Sequence, residues 1–346
     1  MIDIKSLTVE EIAQSIKEYD MQAFRAKQIF KWLHEKSVES FDEMLNIPKS
    51  IRVKLADLYY ISVAFIEKKQ ISCYDSTVKY LFRLNDGEYI EAVLMKYHFG
   101  YTLCVSTQVG CRMGCTFCAT GQNGFTRHLT PSEMIAQIQT TQKDNDIRIS
   151  NIVLMGMGEP LDNYDNVLKF FKLISSADGL NIGMRHITLS TCGVVDKIYK
   201  LADEKLQITL SISLHAPTNK LRKQTMPINN RFPVEELINA CKYYFKTTGR
   251  RVSFEYAMIN GLNDSDKCAM ELVSLLKGML CHINLIPVNE TKGATYVKTD
   301  PKNVVRFCKL LEQNGITATV RRTLGSDIDA SCGQLRGKKL QETQKS

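Results

Sequence analysis

From residue 101 onward, short apolar segments typical of β-strands alternate with segments whose apolar residues recur at helical spacing. The connecting segments SEMIAQIQTTQ and VEELINACKYYF have this helical spacing. The strand-like segments are YTLCVST, NIVLMGM, HITLST, ITLSISL, RVSFEYAM, HINLIP and TATVRR. This βαβ alternation predicts an α/β fold with a parallel sheet covered by helices, in a full or partial (β/α) barrel.

The chain before residue 101 has a different pattern. Residues 1–60 carry helical apolar spacing with a break at Pro48, which predicts a small N-terminal helical accessory domain. Within the linker 61–98, the segments TVKYLFRL and EYIEAVLM flank Asn-Asp-Gly at 85–87. Because these residues tolerate the positive φ of tight turns, the linker is predicted to contain a β-hairpin.

The barrel is predicted over residues 99–325, followed by a C-terminal loop and basic tail over 326–346. Polar or glycine-rich residues follow four of the predicted strands, and barrel enzymes assemble their active sites at that end of the strands. Turn formation would explain any one of these strand ends alone. Together these strand ends, at 156–160, 190–193, 213–215 and Asn289, predict one pocket.

The sequence predicts a cytoplasmic protein with no membrane association. It has neither a basic start followed by an apolar core nor a run of eighteen apolar residues. In a reducing compartment its eleven cysteines are not expected to form a disulfide framework. Most of them, such as Cys241 and Cys268, are interpreted as small hydrophobic residues.

The net charge of +8 is compatible with an anionic partner such as RNA. The segment FRAKQIFKW at 24–32 places three basic residues among three aromatic ones, a mixture that could face phosphates and bases. An amphipathic helix with buried aromatics and solvated lysines explains the same segment equally well. The segment therefore leaves an RNA-binding role for the N-terminal domain open.

Glu91, in the second hairpin strand, shares a face with Tyr89, Val93 and Met95. A carboxylate among apolar neighbours either lies at a solvent edge or is held for proton transfer. Half-exposed strands often carry Glu, so the strand pattern alone favours the solvent edge.

The stretch GCRMGCTFCATG places Cys111, Cys115 and Cys118 within eight positions. A structural zinc site usually needs four ligands in two pairs, and no second pair follows downstream. Three thiolates can instead bind three irons of a 4Fe–4S cluster and leave the fourth iron open. The spacing CxxxCxxC, with Phe117 before the last cysteine, resembles the signature of the radical S-adenosylmethionine (SAM) superfamily. The resemblance implies that the open iron chelates S-adenosylmethionine, which one electron cleaves to methionine and a 5′-deoxyadenosyl radical.

Over nearly its full length the chain resembles the RlmN family of bacterial RNA methyltransferases. The matching segments are FRAKQIFKWLHEK, VSTQVGCRMGCTFCATG, MGMGEPLDN, LSTCGVV, SISLHAP, MPINN, INLIPVN and RRTLGSDIDASCGQL. The resemblance implies methylation of adenosine C2 in 23S rRNA, at the peptidyl transferase centre, and in tRNA beside the anticodon. It further implies one 4Fe–4S cluster, two S-adenosylmethionine molecules per turnover, an electron donor such as flavodoxin or ferredoxin, and a monomer.

The resemblance also assigns roles to residues. The family's S-adenosylmethionine contacts map to Gly158, Glu159, Ser190, Ser213, Leu214, His215 and Asn289. The methyl-carrying cysteine maps to Cys332 and the second thiol to Cys104, while Glu91 matches the proton acceptor, which reverses the solvent-edge interpretation. For His215, a hydrogen-bonded polar group at a strand end remains an equal alternative.

By resemblance, one S-adenosylmethionine methylates Cys332, and the adenosyl radical formed from a second takes a hydrogen from that methyl group. The carbon radical adds to C2 and joins the protein covalently to the RNA. Release of the RNA then requires loss of an electron and of the C2 proton, followed by attack of Cys104 on Cys332 to form a disulfide. Either Glu91 or Cys104 could take the proton. Two alternatives stay open. One is a methyltransferase like Cfr, a close relative of RlmN that methylates C8 of the same ribosomal adenosine and gives antibiotic resistance; Pro160 resembles RlmN more than Cfr. The other is a non-catalytic protein that binds metal and RNA.

Overall fold

The structure is a computed structural model that describes residues 1–288, 296–322, 324–328 and 333–343, without the side chains of 342 and 343. The strands are β1 (Ile2–Asp3), β2 (Tyr59–Tyr60), β3 (Phe65–Ile71), β4 (Val78–Arg83), β5 (Tyr89–Tyr97), β6 (Gly100–Cys104), β7 (Gln108–Gly110), β8 (Phe125–His128), β9 (Ile149–Leu154), β10 (Ile187–Thr191), β11 (Thr209–Ser213), β12 (Val252–Met258), β13 (Cys281–Pro287) and β14 (Thr317–Val320). The helices are α1 (Val9–Lys17), α2 (Phe24–His34), α3 (Lys49–Leu58), α4 (Ala119–Gln122), α5 (Pro131–Asn145), α6 (Tyr164–Ile174), α7 (Val195–Asp203), α8 (Asn219–Thr225), α9 (Val234–Thr248), α10 (Asp266–Leu276), α11 (Pro301–Gln313) and α12 (Gln334–Thr343).

Ten strands form one sheet in the order β14-β13-β12-β11-β10-β9-β6-β5-β4-β3. The seven strands from β14 to β6 in this order pair in parallel, and they coincide with the seven apolar segments of the sequence. The prediction of an α/β fold on a parallel sheet is therefore confirmed. The order ends at β14 and at β3, so within the described residues the sheet is an open, partial barrel.

The predicted hairpin is formed by β4 and β5, which pair antiparallel, with Arg83 opposite Tyr89. Gly87 in its turn has a φ of 87°, the left-handed conformation for which glycine is favoured. The hairpin is also part of the main sheet, because β5 pairs antiparallel with β6 on its other side. Strands β3 to β5 thus extend the parallel sheet with an antiparallel part.

The N-terminal residues form three short helices. Thr8 caps α1 in a capping box with Glu11, and α3 begins directly after Pro48, where the sequence predicts a break. None of the described helices is long and apolar enough to span a membrane.

Helix α2 contains the basic and aromatic segment of residues 24–32. Phe30 is buried, while Lys27 and Lys31 form ion pairs with Asp178 at 3.1 and 3.5 Å. Phe24 remains exposed. These contacts favour the interpretation of α2 as an amphipathic helix that packs on the rest of the protein.

Candidate active site

The three motif cysteines lie on the loop between β7 and α4. The backbone amide of Cys111 donates to Gly124 O at 2.8 Å, and that of Thr116 donates to Thr225 O at 2.9 Å. Gly110 precedes the loop with a φ of 80°, and a Cβ there would come within 1.9 Å of Gly124 O. The loop conformation therefore requires glycine at this position.

All three cysteines line one cavity of about 280 Å³. Burial raises the pKa of the Cys111 thiol to about 12 and raises that of Cys115 as well, because an apolar environment disfavours a thiolate. Within the described residues, no three His, Cys, Asp or Glu side chains converge as ligands of a single metal ion. A 4Fe–4S cluster does not require such convergence, because each cysteine binds a different iron. The donor set of the loop fits such a cluster.

The cavity brings together the ends of three parallel strands. Its lining includes Gly158 and Glu159 after β9, Ser190 in β10, and Ser213 and His215 at the end of β11. Of the other two candidate cofactor residues, Leu214 is fully buried and is not among the lining residues. Asn289 lies outside the described residues.

Close packing explains the two glycines that follow β9. Gly158 has a φ of 101°, and a Cβ there would come within 2.5 Å of the Gln108 side chain. Gln108 Oε1 accepts a hydrogen bond from the Glu159 amide at 2.8 Å. A Cβ on Gly156 would likewise meet Val105 O at 2.5 Å. The end of β9 is thus held against the segment that leads into the cysteine loop.

Glu159 joins the ends of two strands. Its Oε2 accepts a hydrogen bond from the Cys192 amide at 2.7 Å, and its Oε1 accepts one from the Leu161 amide at 3.0 Å. Burial raises the pKa of this carboxyl group, while the hydrogen bonds act in the opposite direction. Cys192 is buried beside it.

His215 is both a hydrogen-bonded strand-end group and a cavity-lining residue. Its Nδ1 accepts a hydrogen bond from the Ala257 amide at 2.9 Å, so in the neutral ring Nε2 carries the proton. Burial lowers the pKa of His215 to about 3, which keeps the ring neutral. The ring lies edge-on to Phe117 of the cysteine loop, with centroids 4.9 Å apart. A neutral N–H donor is therefore available at this wall.

Two buried charged residues of the site were not identified from the sequence. Arg222 is fully buried and donates from Nη2 to Cys192 O at 2.6 Å and from Nε to Leu214 O at 3.1 Å. It thereby holds the ends of β10 and β11 together. Glu255, in β12, is 5% exposed and lines the cavity. A carboxylate inside the apolar run RVSFEYAM was the available signal for Glu255, whereas nothing in the sequence distinguished Arg222 from surface arginines.

The solvent-edge interpretation of Glu91 is wrong, because its side chain is 1% exposed. It forms an ion pair with the buried Lys79 at 2.6 Å. It also accepts hydrogen bonds from the backbone amides of Gly333 and Arg336, each at 2.7 Å. Strand β5 has neighbours on both sides, and the C-terminal segment covers the face that carries Glu91. Glu91 therefore binds the start of α12, immediately after Cys332.

Cys332 itself lies outside the described residues, but the segments on both sides of it contact strands β3 to β6. The half-buried Leu324 packs against a cluster of the buried residues Val93, Met95 and Cys104, on the sheet face that also carries Glu91. The C-terminal segment thus lies against the strand that contains Cys104.

A second attachment lies at the turn between β3 and β4. Asp327 accepts hydrogen bonds from the Ser72 hydroxyl at 2.6 Å and from the Cys73 amide at 2.8 Å. These bonds hold the pKa of Asp327 low, at about 2. Together with Glu91, Asp327 ties the chain on either side of residues 329–332 to the antiparallel part of the sheet.

The open α/β sheet and the three-cysteine loop at the strand ends define a radical SAM protein, and a family model of the radical SAM superfamily matches residues 105–273. A model of the ribosomal RNA large subunit methyltransferase N-terminal domain matches residues 2–61. The chain is 54% identical over 336 residues to the probable dual-specificity RNA methyltransferase RlmN of Clostridium novyi, covering 97% of this chain and 98% of that protein. The corresponding protein of Alkaliphilus oremlandii is 55% identical, covering 98% and 99%.

A crystal structure of a radical SAM methyltransferase from Sphaerobacter thermophilus superposes with a TM-score of 0.91 at 42% identity, covering 96% of this chain and 99% of that one. The chain belongs to the RlmN family of radical SAM RNA methyltransferases.

Proposed function

We propose that this protein methylates C2 of adenosine in 23S rRNA, at the peptidyl transferase centre, and in tRNA next to the anticodon, through a methylated cysteine. The relatives named as dual-specificity RNA methyltransferases support the two RNA substrates. The observation that carries the proposal is the attachment of Gly333, the neighbour of Cys332, to Glu91. This contact brings the C-terminal segment to the sheet face that carries Cys104.

The proposed cofactors are one 4Fe–4S cluster on Cys111, Cys115 and Cys118, and two S-adenosylmethionine molecules per turnover. When bound, the cluster supplies the electron that cleaves S-adenosylmethionine into methionine and a 5′-deoxyadenosyl radical. An electron donor such as flavodoxin or ferredoxin would reduce it. The residues proposed to bind S-adenosylmethionine are Gly158, Glu159, Ser190, Ser213, Leu214, His215 and Asn289.

Adenine C2 is an electron-poor carbon that is not nucleophilic, so it cannot take a methyl group directly from the sulfonium of S-adenosylmethionine. The methyl group is therefore carried first by Cys332. Methylated Cys332 gives a hydrogen atom from its methyl group to the 5′-deoxyadenosyl radical, and the resulting carbon radical forms a bond to C2. The adduct then loses the C2 proton, and its unpaired electron would be taken up by the oxidised cluster. Attack of the Cys104 thiolate on the Cys332 sulfur forms a disulfide and breaks the bond between that sulfur and the methylene carbon. This carbon takes a proton and becomes the methyl group of the released base.

Glu91 is the proposed acceptor of the C2 proton. Its two oxygens already accept from Lys79, Gly333 and Arg336. These donors occupy three of a carboxylate's roughly four acceptor positions, so Glu91 can take the proton at the remaining position, on Oε1. Cys104 is the alternative acceptor. We also propose that the protein acts as a monomer in the cytoplasm.

The site of methylation can be tested by liquid chromatography and mass spectrometry of digested RNA, from cells with and without the gene. Authentic 2-methyladenosine and 8-methyladenosine serve as standards. We expect 2-methyladenosine in 23S rRNA and tRNA, in agreement with Pro160 after Glu159. A main product of 8-methyladenosine would identify a Cfr-type enzyme instead.

A further inference from the structure

Glu255 is a buried carboxylate at the wall of the cavity that has no role in the mechanism above. It lies in β12 between Ser213 of β11 and Asn284 of β13, which are its partners in register. Its Oε1 accepts hydrogen bonds from Ser211 Oγ at 2.8 Å and from Asn284 Nδ2 at 2.9 Å. The side chain is thus held by neutral donors from the two neighbouring strands.

The orientation of Asn284 is itself fixed. Thr319 Oγ1 donates to Asn284 Oδ1 at 3.1 Å, so the amide N–H₂ is directed at the carboxylate. His282 Nε2 lies 2.9 Å from the Thr319 hydroxyl and completes this chain of contacts. The carboxylate of Glu255 is therefore positioned through three strands, β12, β13 and β14.

This carboxylate retains acceptor capacity on the cavity side. Both hydrogen bonds go to Oε1, and across the described part of the chain no donor reaches Oε2 and no ion pair involves Glu255. A carboxylate has about four acceptor positions, and a buried one is costly unless donors occupy them. A ligand in the cavity that presents hydrogen-bond donors would satisfy the remaining positions.

Given the proposed function, on which this inference rests, the ligand is S-adenosylmethionine, and two of its neutral groups can donate. The ribose presents two adjacent hydroxyl donors, an arrangement that acidic side chains bind in nucleotide sites. The adenine edge presents its N6 donor beside a ring-nitrogen acceptor, which a carboxylate repels. We infer that Glu255 binds the ribose hydroxyl groups of S-adenosylmethionine and positions its 5′-carbon relative to the cysteine loop.

The test compares the Kd of S-adenosylmethionine and its analogues for the wild-type protein and for variants. Equilibrium dialysis of the anaerobically reconstituted protein, without reductant so that no cleavage occurs, gives the Kd of S-adenosylmethionine. The 2′-deoxy and 3′-deoxy analogues and an analogue lacking the N6 amine are measured in the same way. The variants are Glu255→Gln and, as a matched control exposed on α11, Glu312→Gln.

We expect the wild-type protein and Glu312→Gln to bind each deoxy analogue about 10-fold more weakly than S-adenosylmethionine, as for a lost hydrogen bond to a charged group. In Glu255→Gln this discrimination should fall to about 2-fold or less, while discrimination against the N6-lacking analogue stays at the wild-type value. Should Glu255→Gln fail to fold, as judged by circular dichroism and iron content, Asn284→Ala replaces it. Loss of one of the two donors should reduce the hydroxyl discrimination about 3-fold.

Unchanged hydroxyl discrimination in the folded variant would overturn the inference and leave Glu255 a structural residue. A change confined to the N6-lacking analogue would also overturn it and assign Glu255 to the adenine edge. Methylation of RNA by the wild-type protein is measured separately. The inference can therefore fail while the proposed function stands.

Discussion

The parallel and antiparallel parts of the ten-stranded sheet hold different parts of the proposed reaction. In the parallel part, strands β9 to β12 end around the cavity, and contacts between neighbouring loops, such as Glu159 with Cys192, shape its wall. In the antiparallel part, Glu91 binds Gly333, which is 242 positions away in the chain. The proposed cofactor site is therefore formed within the barrel itself, whereas the position of the C-terminal segment depends on a few long-range side-chain contacts.

This difference indicates how the two halves of the site can be separated. Changes to the cysteine loop, which faces the cavity at the strand ends of the parallel part, should remove the radical chemistry altogether. Changes in the antiparallel part should leave the cluster and S-adenosylmethionine cleavage in place and impair only methyl transfer. The following variants test that separation.

Cys115→Ala should abolish both the iron–sulfur cluster and S-adenosylmethionine cleavage, because a cluster with two cysteine ligands is not held. Iron and sulfide content and the yield of 5′-deoxyadenosine measure the two effects. Cys308→Ala, on α11 away from the cavity, is the control and should keep both. A full cluster in Cys115→Ala, or zinc without iron in the wild-type protein, would contradict the cluster assignment and favour a non-catalytic metal-binding protein.

Glu91→Gln should lower product formation about 100-fold, as expected for loss of a proton acceptor, with the cluster content unchanged. The free energy of unfolding should also fall by about 3 kcal/mol, because the buried charge of Lys79 loses its ion pair with Glu91. Single-turnover methylation and urea unfolding measure the two effects.

A double variant separates these two contributions of Glu91. Lys79→Met with Glu91→Leu replaces the buried ion pair by apolar side chains and should recover most of the lost stability. Methyl transfer should remain low, because the amides of Gly333 and Arg336 still lack their acceptor. Recovery of methyl transfer together with stability would show that Glu91 acts only as a structural partner of Lys79.

Asp327→Asn should have the smallest effect, about a 2- to 3-fold loss of product formation, because an amide still accepts one of the two hydrogen bonds from Ser72 and Cys73. Hydrogen exchange of residues 333–343 should increase modestly, while cluster content stays constant. An effect as large as that of Glu91→Gln would mean that both attachments are equally important.

The parallel sheet was predictable from the sequence because its strands are continuous apolar runs, a pattern that burial on both faces produces. The turn at 85–87 was predictable because few residues adopt its backbone conformation. The environment of Glu91 was not predictable, because the pattern of a strand depends only on residues that are adjacent in the sequence. It does not indicate that the distant C-terminal segment covers Glu91. The buried position of Arg222 was not predictable for the same reason, since its hydrogen-bond acceptors are carbonyl groups of two other segments.

The roles of Cys332 and Cys104 came only from the resemblance to the RlmN family, and they remain predictions. The packing of the half-buried Leu324 against the cluster that contains Cys104 supports the proximity that these roles require. The decisive chemistry is the covalent bond between Cys332 and the RNA base, which Cys104 is proposed to break.

The most direct measurement of this chemistry is mass spectrometry of the protein after reaction of Cys104→Ala with RNA under reducing, anaerobic conditions. We predict a gel-stable adduct in which Cys332 is joined to adenosine through one carbon, because no thiol is left to attack its sulfur. Cys332→Ala, the matched control, should keep its cluster and give neither adduct nor product. Normal turnover without an adduct in both variants would contradict methyl transfer through Cys332.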